Sequence, residues 1–404
     1  MAEMNTNWRK INRTDYVQEH FCLSQFIQSD RWPESSPPKF TPQEYPYRKD
    51  GFEYSRSIHT CDNEIHVTEM THATSFECML SIINDGGFRA TEKDYPGIGV
   101  MSLVWFGLKI EENQIDYVKE NSKRRVQALM QDKPELKADN VLSKIAGTPA
   151  FQPMSLYGNF KFTIGIKEVL DAYTTQFCNS LGYQEIRKLG TLAYKQETMH
   201  AILVCPPDTP GTLNCPPLSL DPVIQPDATL ETWTWKPHST GNQYISFLDS
   251  GYPWFKDIRW EHVAFAFHVP QGSWLKIQNL ESRVSLCMER SRNSTINGVN
   301  VVIENMLDFI ASTEATKKKS LADMLISMIA GYLKEERMYA KTMESYFEAE
   351  YAQVNLEPVV QRIRELLPSV EFEELNWEPL SIWMKSLTSH GNVLRDILKA
   401  KIRL

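Results

Sequence analysis

The sequence predicts an α+β protein in which a mixed or antiparallel sheet domain is followed by a C-terminal helical bundle. Apolar runs of strand length recur between residues 65 and 303. From about residue 304 the apolar residues recur every three or four positions, which is typical of helices. The 404 residues exceed what one ordinary core accommodates, so two or three domains are expected.

Residues 1–50 are predicted to form a proline-rich N-terminal arm. A short helix is expected over 16–27, and prolines then alternate with aromatic residues between 32 and 47. This alternation favours an extended arm that lies over a surface, because a free linker carries fewer aromatic residues.

The sheet domain is predicted over residues 51–303. Strands are expected at 65–72, 99–110, 160–166 (half-buried), 198–205, 262–269, 274–278 and 299–303. Helices are expected at 114–131 and 167–177. A proline-rich loop is predicted over 205–230, because seven prolines between 206 and 226 leave no room for a helix or a central strand.

Residues 304–404 are predicted to form the helical domain. One helix is expected to run to about residue 354, the next to span 358–367, and the last to span 379–402. Their apolar faces must be covered, so this domain is expected to pack on the sheet domain.

Composition narrows the class of protein and its location. The formal net charge of −8 argues against a general nucleic-acid binder, which needs a basic face. No apolar run approaches membrane-spanning length, and residues 1–8 lack the apolar core of a signal peptide. The seven scattered cysteines, none spaced C-x-x-C, are typical of a reduced cytoplasmic protein. His59, His66 and His72 lack acidic partners, so no metal site is expected.

The most informative motif is residues 72–77 (HATSFE) followed by 82–88 (IINDGGF). It predicts a strand end that carries His72 and Thr74, then a short helix and a glycine turn. This order resembles the opening motif of ADP-ribosyltransferases of the poly(ADP-ribose) polymerase type, in which a His-Gly-Thr/Ser strand precedes a helix and a glycine turn. Ala73 stands where that family usually has glycine.

Two later positions follow in the order that the resemblance requires. Trp105 and Phe106 stand where the family usually has Tyr-Phe after a glycine-rich turn. Glu197, preceded by Tyr194, opens a late strand 125 residues after His72, a separation close to the usual one in the family. The resemblance covers about 140 residues and implies the ADP-ribosyltransferase fold for the sheet domain. Glu261, at the head of the 262–269 strand, is a rival for the acidic position.

The resemblance implies that NAD is the substrate. His72 and Thr74 would hold the ribose and the nicotinamide side, and Trp105 or Phe106 would stack the cationic nicotinamide ring. Glu197 would stabilise the oxocarbenium-like transition state. His72, Thr74 and Glu197 are therefore expected to converge on one cleft.

Each of these residues also has a structural alternative. His72 can be a hydrogen-bonded structural histidine, and Trp105 and Phe106 can pack in the core. Glu197 can be an exposed carboxylate at a strand start, and the two glycines can simply end a helix.

The function that the resemblance implies is mono-ADP-ribosylation of a protein or nucleic-acid acceptor. One alternative is a catalytically inactive ADP-ribosyltransferase-like protein that binds partners, among them a protein partner at the helical C-terminal region. Another is an NAD glycohydrolase on the same scaffold. This chain differs from the family pattern at Ala73 and at the stacking position. These two differences are expected to affect catalytic turnover more than the fold.

Overall fold

The computed structural model describes most of the predicted strands and helices. The described residues are 9–13, 16–20, 64–95, 99–132, 150, 154–155, 157–178, 182–194, 197–207, 209–212, 215–218, 223–236, 260–289, 298–343, 356–367 and 374–380. No helix in this part of the chain combines the length and the apolar composition that a membrane span requires.

Strands and helices are interspersed along the chain. The strands are β1 (Arg9–Arg13), β2 (Tyr16–His20), β3 (Ile65–Val67), β4 (Glu69–Thr74), β5 (Gly87–Arg89), β6 (Thr91–Tyr95), β7 (Gly99–Lys109), β8 (Met154–Ser155), β9 (Phe160–Gly165), β10 (Glu185–Tyr194), β11 (Glu197–Cys205), β12 (Ile224–Pro226), β13 (Trp233–Trp235), β14 (Trp260–His268), β15 (Trp274–Lys276), β16 (Val284–Leu286) and β17 (Met288–Glu289). The helices are α1 (Phe76–Asp85), α2 (Glu112–Asp132), α3 (Ile166–Phe177), α4 (Gly298–Ser312), α5 (Ala315–Met343) and α6 (Leu356–Leu366). The fold class is therefore α+β, as predicted.

The chain divides into two compact units, each assembled from three segments. The sheet unit comprises Met1–Thr71, Phe88–Phe151 and Ile164–Lys276. The helical unit comprises His72–Gly87, Gln152–Thr163 and Ile277–Leu404. This division differs from the predicted domains, because the helical unit takes residues 72–87, 152–163 and 277–303 from inside 51–303. Segments far apart in sequence pack together here, and local sequence patterns carry no signal for such packing.

The main sheet of the sheet unit has the strand order β10–β11–β14–β7. β11 and β14 run parallel, whereas β10 and β7 pair antiparallel with their neighbours in this row. The other edge of β7 pairs antiparallel with β6 and with the first three residues of β4. The sheet is therefore mixed. β12, β13 and β3 form a second, antiparallel sheet, and β2, which pairs antiparallel with β1, lies beside β10.

One face of the main sheet, which we call the aromatic face, carries Phe106, Phe265 and Phe267. The ring of Phe106 meets that of Phe267 edge-on at 5.6 Å between centroids, and Tyr173 of α3 approaches Phe267 at 5.4 Å. Helix α3 covers this face because its apolar residues recur every three or four positions, with Ile166, Val169, Leu170 and Tyr173 buried.

The other side of the main sheet, which we call the opposite face, carries a smaller apolar cluster. Its buried members are Met101, Leu103, Leu203, Cys205, Cys215 and Ala266. Trp105 and Leu189 pack against this cluster and are partly buried.

In the helical unit, β9 pairs antiparallel with β16, and α5 lies on β16. A Cβ atom at Gly331 of α5 would lie 2.7 Å from the Cβ atom of Ser285 of β16, so helix and strand are in close contact. Helix α4 contacts both α5 and α6. The ring of Phe76 in α1 contacts the ring of Phe309 in α4 edge-on at 5.3 Å between centroids.

A buried ion pair joins β9 to α5. The ammonium group of Lys161 donates to the Glu335 carboxylate at 3.0 Å, and the two side chains are 5% and 8% exposed. The sequence predicts that β9 is half-buried, with Lys161 on its polar side. That prediction is wrong for the first half of the strand, because residues 160–162 are all buried.

Most elements with a strong local pattern are confirmed. The predicted strand at 65–72 is present as β3 and β4, and the remaining confirmed strands are β7, β9, β11, β14 and β15. The confirmed helices are α2, α3, α5 and α6. The predicted helical stretch 344–354 and nearly all of the helix 379–402 lie outside the described residues.

Two predicted elements are wrong. Residues 299–303 form the start of α4, not a strand, because Val299, Ile303 and Met306 form one buried helix face that outweighs the strand preference of β-branched residues. Residues 16–20 form strand β2, paired with β1, where a helix was expected. The rest of that predicted helix, 21–27, lies outside the described residues.

Candidate functional site

The strand–helix–glycine motif has the predicted local structure. β4 ends at Thr74, and the Ser75 hydroxyl caps α1 by accepting from the backbone N–H of Cys78 at 3.4 Å. Gly86 follows the helix with φ 65°, and its N–H donates to the carbonyl of Ile83 at 3.2 Å. This left-handed residue ends the helix and starts the turn.

His72 and Thr74 belong to the helical unit, where Gly158 lies against the end of β4. His72 is partly exposed, and Thr74 is 7% exposed. Gly158 has φ 139°, and a Cβ atom there would lie 2.1 Å from the Thr74 carbonyl oxygen. Only glycine fits this approach.

Residues 157–159, which we call the Tyr157 loop, therefore lie against the end of β4. The backbone N–H of Tyr157 donates to the Ser155 hydroxyl at 2.9 Å. On the other side, the Asn159 carbonyl accepts from the Cys287 N–H at 2.8 Å, and the Asn159 side-chain amide donates to the Cys287 carbonyl at 3.2 Å. Tyr157 is 46% exposed. Sequence reasoning missed this loop, and an isolated glycine just before a strand was its only signal.

Trp105 and Phe106 lie on opposite faces of β7 in the sheet unit. Phe106 pairs in register with Phe265 of β14, and Trp105 pairs with Ala266. Phe106 is 1% exposed, and its ring meets that of Phe88 at 5.1 Å between centroids. The environment of Phe106 is therefore that of a side chain that packs in the core. Trp105 is partly exposed and packs on the cluster of the opposite face.

The structure describes the backbone of the acidic candidates, and their register separates them. Glu197 is opposite Tyr194 of β10 and opposite Trp260 of β14. Glu261 is instead opposite Thr198, one residue further along β11. Because successive residues of a strand alternate between faces, the two glutamates occupy positions on opposite faces of the sheet.

Register also relates these positions to the aromatic candidates. Trp105 is opposite Ala266, which in turn is opposite Leu203 of β11. Leu203 and Glu197 are an even number of residues apart, so Trp105 and Glu197 occupy positions on the same face of the sheet. However, six residues of β11 separate Leu203 from Glu197, which corresponds to about 20 Å along the strand. One nicotinamide ring therefore cannot stack on Trp105 and have its ribose bond beside Glu197. The structure brings Tyr194 and Glu197 together and keeps Trp105 away from them.

Two buried thiols near the main sheet, those of Cys205 and Cys178, are poorly suited to nucleophilic chemistry. Burial raises the pKa of Cys205 to about 11. Burial also raises the pKa of Cys178, just after α3. A thiol with a raised pKa stays protonated at neutral pH and is a weak nucleophile.

His72 and Glu197 fall in different units, so their convergence on one cleft stays a prediction. Among the described residues, no group of three or more histidine, cysteine and acidic side chains could hold a metal ion. His59 lies outside those residues. No family profile, no curated protein and no solved structure matches the chain.

Proposed function

We propose that this chain binds NAD and transfers its ADP-ribose group to a protein or nucleic-acid acceptor, as a mono-ADP-ribosyltransferase. Glu197 is the acidic residue of the reaction. Tyr194 lies beside it on the neighbouring strand, and His72 and Thr74 hold the ribose and nicotinamide side of the dinucleotide.

The observation that carries this proposal is the row formed by Tyr194, Glu197 and Trp260. These three positions are opposite one another on β10, β11 and β14. Residues directly opposite on neighbouring strands share a face about 5 Å apart. A carboxylate position is therefore flanked by two aromatic positions. Aromatic faces and a carboxylate both attract a positively charged ring or ribosyl group.

The proposal gives each residue a physical role. Cleavage of the bond between ribose and nicotinamide develops positive charge on the ribose, and a fixed carboxylate stabilises that charge. His72 and Thr74 supply polar groups for positioning, which contributes through proximity and orientation. The strand, helix and glycine turn that follow one another at His72 and Thr74 add support. A whole succession of elements in the expected order is stronger support for the resemblance than a match at a single residue.

A second candidate is a catalytically silent protein with the same scaffold. It is favoured by the separation of about 20 Å along the strand between the rows of Trp105 and Glu197. Such a protein would bind partners or NAD without turnover.

Incubation of the purified chain with NAD labelled in its adenylate phosphate tests these functions together. Transfer releases nicotinamide and leaves the label on protein or added acceptor. Hydrolysis releases nicotinamide and labelled ADP-ribose, as expected for an NAD glycohydrolase. Recovery of intact NAD contradicts both enzymatic functions and favours the silent protein.

Glu197→Gln is the variant that tests the acidic residue, and Glu261→Gln is its matched control on the neighbouring strand. Glu197→Gln keeps the size but loses the charge, so the rate should fall by about 10²–10³-fold while NAD binding is retained. Glu261→Gln should leave the rate within about twofold of wild type, since residue 261 occupies a position on the opposite face of the sheet from Glu197. The reverse result would assign the chemistry to Glu261.

A further inference from the structure

The described part of the sheet unit contains an open cleft between helix α3, the segment that precedes β10, and the turn between β12 and β13. Its volume is about 620 Å³, and its lining residues are Asp171, Thr174, Thr175, Gly182, Tyr183, Gln184, Ile186 and Leu230. This volume lies within the range of small-molecule sites. We propose that this cleft, which we call the Tyr183 cleft, binds a small organic cation with a flat body.

The charge of the cleft determines the sign of the ligand. Of the eight described residues that line it, only Asp171 carries a charge, and its side chain is 65% exposed. Lys167, one turn earlier in α3, donates to this carboxylate at 2.6 Å. The hydroxyl of Thr175 donates to the Asp171 backbone carbonyl at 2.8 Å, so its oxygen keeps lone pairs that accept hydrogen bonds. These acceptors favour a ligand that carries positive charge and donates hydrogen bonds.

The apolar lining determines the shape of the ligand. Tyr183 is 55% exposed, so much of its ring is open to a ligand. A flat cation gains both from apolar contact with such a ring and from the negative face of its π-system. Leu230 and Ile186 add aliphatic side chains to the same lining. A bare metal ion would use none of these apolar groups, whereas an organic cation would use them all.

The turn that supplies Leu230 is held in an unusual conformation. Leu230 has φ 59°, in the left-handed region that is costly for a residue with a Cβ atom. Its N–H donates to the Asp227 carbonyl at 3.3 Å, and its carbonyl accepts from the indole N–H of Trp233 at 3.3 Å. The Asp227 carboxylate also accepts from the N–H groups of Thr229 and Thr232. Backbone strain that the surrounding structure maintains is concentrated at ligand sites.

The Tyr183 cleft is remote from the row of Tyr194, Glu197 and Trp260. Ile186 and Tyr194 are eight residues apart on β10, which corresponds to about 26 Å along the strand. A small cation in the cleft therefore cannot contact Glu197. Binding in the cleft does not depend on the proposed function, and it can be measured without NAD.

The test compares phenylguanidine, which is a flat cation at neutral pH, with phenylurea, its neutral counterpart of the same shape. Dissociation constants of the full chain for both compounds are measured by ligand-observed NMR titration. Wild type should bind phenylguanidine about tenfold more tightly than phenylurea, because hydrogen bonds between charged groups contribute more than neutral ones.

Three substitutions at the cleft test the role of each group. Asp171→Asn keeps the shape but removes the charge, so the preference for the cation should disappear. Lys167→Met should instead strengthen phenylguanidine binding about two- to fivefold, because the carboxylate loses a competing ammonium group, and should leave phenylurea binding unchanged. Tyr183→Ala should weaken phenylguanidine binding about threefold, whereas Tyr183→Phe should bind like wild type. Tyr117→Ala is the matched control, because Tyr117 is 42% exposed and lies on α2 of the same unit.

The possible outcomes separate this site from the proposed NAD chemistry. Equal affinities of wild type for the two compounds, or binding of neither, would overturn the assignment. A preference that survives in Asp171→Asn would also overturn it, and loss of that preference in Glu197→Gln would place the cation beside Glu197 instead. Weaker phenylguanidine binding by Lys167→Met would contradict competition for the Asp171 carboxylate. Recovery of intact NAD contradicts the proposed function but leaves the cation site unaffected.

Discussion

The aromatic face of the sheet unit and the contact between β9 and α5 in the helical unit depend on different interactions. On the aromatic face of the sheet unit, Phe106, Phe265 and Phe267 form continuous ring contacts, and the Tyr173 hydroxyl donates to the His268 carbonyl at 2.6 Å. In the helical unit, the charged groups of Lys161 and Glu335 meet at 3.0 Å. The aromatic face combines ring contacts with a neutral hydrogen bond, whereas the contact between β9 and α5 joins two opposite charges.

Because the interactions differ, substitutions in these two regions should lower the stability in different ways. Apolar burial contributes in small steps of about 0.8 kcal/mol per methylene group, so it weakens gradually. A buried ion pair is instead lost in a single substitution, because removal of either partner leaves an uncompensated buried charge and lowers the stability strongly. Burial by itself lowers the pKa of Lys161, but the charge and hydrogen bond of Glu335, together with Cys287, raise this pKa above its usual value. The lysine therefore stays charged.

The largest effect is expected from Lys161→Met, which removes the ammonium group that contacts the buried Glu335 carboxylate. The free energy of unfolding should fall by about 3–5 kcal/mol. The double variant Lys161→Met/Glu335→Leu should recover most of this loss, since two apolar side chains need no charge partner. Urea unfolding followed by tryptophan fluorescence measures both values.

The matched control for this prediction is Lys319→Met. Lys319 and Glu374 also meet at 3.0 Å in the helical unit, but their side chains are 42% and 58% exposed. Breaking an exposed pair should cost at most about 1 kcal/mol. Equal losses for Lys161→Met and Lys319→Met would contradict the special role of the buried pair.

A smaller loss is expected from Gly331→Ala in α5. Alanine normally stabilises a helix interior by about 1 kcal/mol relative to glycine. Here the new Cβ would lie 2.7 Å from the Cβ atom of Ser285, so helix and strand must separate. We expect a net loss of about 1–3 kcal/mol in urea unfolding. Ser327→Ala, at a partly exposed position of the same helix, should be neutral or slightly stabilising, and a stabilising Gly331→Ala would show that α5 is not so close to β16.

In the sheet unit, Tyr173→Phe should cost about 1 kcal/mol at neutral pH. It removes the hydrogen bond to the His268 carbonyl but keeps the ring contact with Phe267. Thermal or urea unfolding at pH about 7 checks the value. A loss as large as that of Lys161→Met would mean that this interior also depends on a polar contact.

The smallest effect is a change in the alkaline pH dependence of the same variant. Burial raises the pKa of Tyr173 above its usual value near 10, so the folded state keeps a proton that the unfolded state releases. The free energy of unfolding of wild type should therefore fall as the pH rises above about 10, and Tyr173→Phe should fall less steeply. The raised pKa of Lys161 acts in the same direction, so the Lys161→Met/Glu335→Leu variant should flatten a separate part of the slope. Parallel curves for all three proteins would contradict both pKa assignments.

Much of the secondary structure could be predicted because it depends on neighbouring residues. β7, β11 and β14 are apolar runs of strand length, and α3 shows the three-and-four spacing of a half-buried helix. The cap at Ser75 and the left-handed turn at Gly86 are also local, so the strand–helix–glycine motif could be predicted from its letters. The error at 299–303 arose because packing of α4 decided between two patterns that local propensity left close in energy.

The candidate site could be predicted only residue by residue. The sequence favoured Glu197 and left Glu261 as a rival, and strand register places the two on opposite faces, because a shift of one residue exchanges the two faces of a sheet. It also grouped Trp105 with Phe106, although neighbours on a strand face opposite sides. Tyr157 had no such signal, because its position depends on the contact between Gly158 and Thr74.

The sequence by itself determined the α+β class, the position of most strands and helices, and the local motif that carries His72 and Thr74. Only the tertiary structure decided that Lys161 is buried against Glu335, that Glu197 and Trp260 are opposite each other, and that the Tyr157 loop lies on the end of β4. The physical reason is the separation along the chain of the residues that each interaction joins. Periodicity, caps and turns arise from residues a few positions apart, whereas burial, register and close backbone contacts arise between segments that the sequence keeps as many as 174 residues apart.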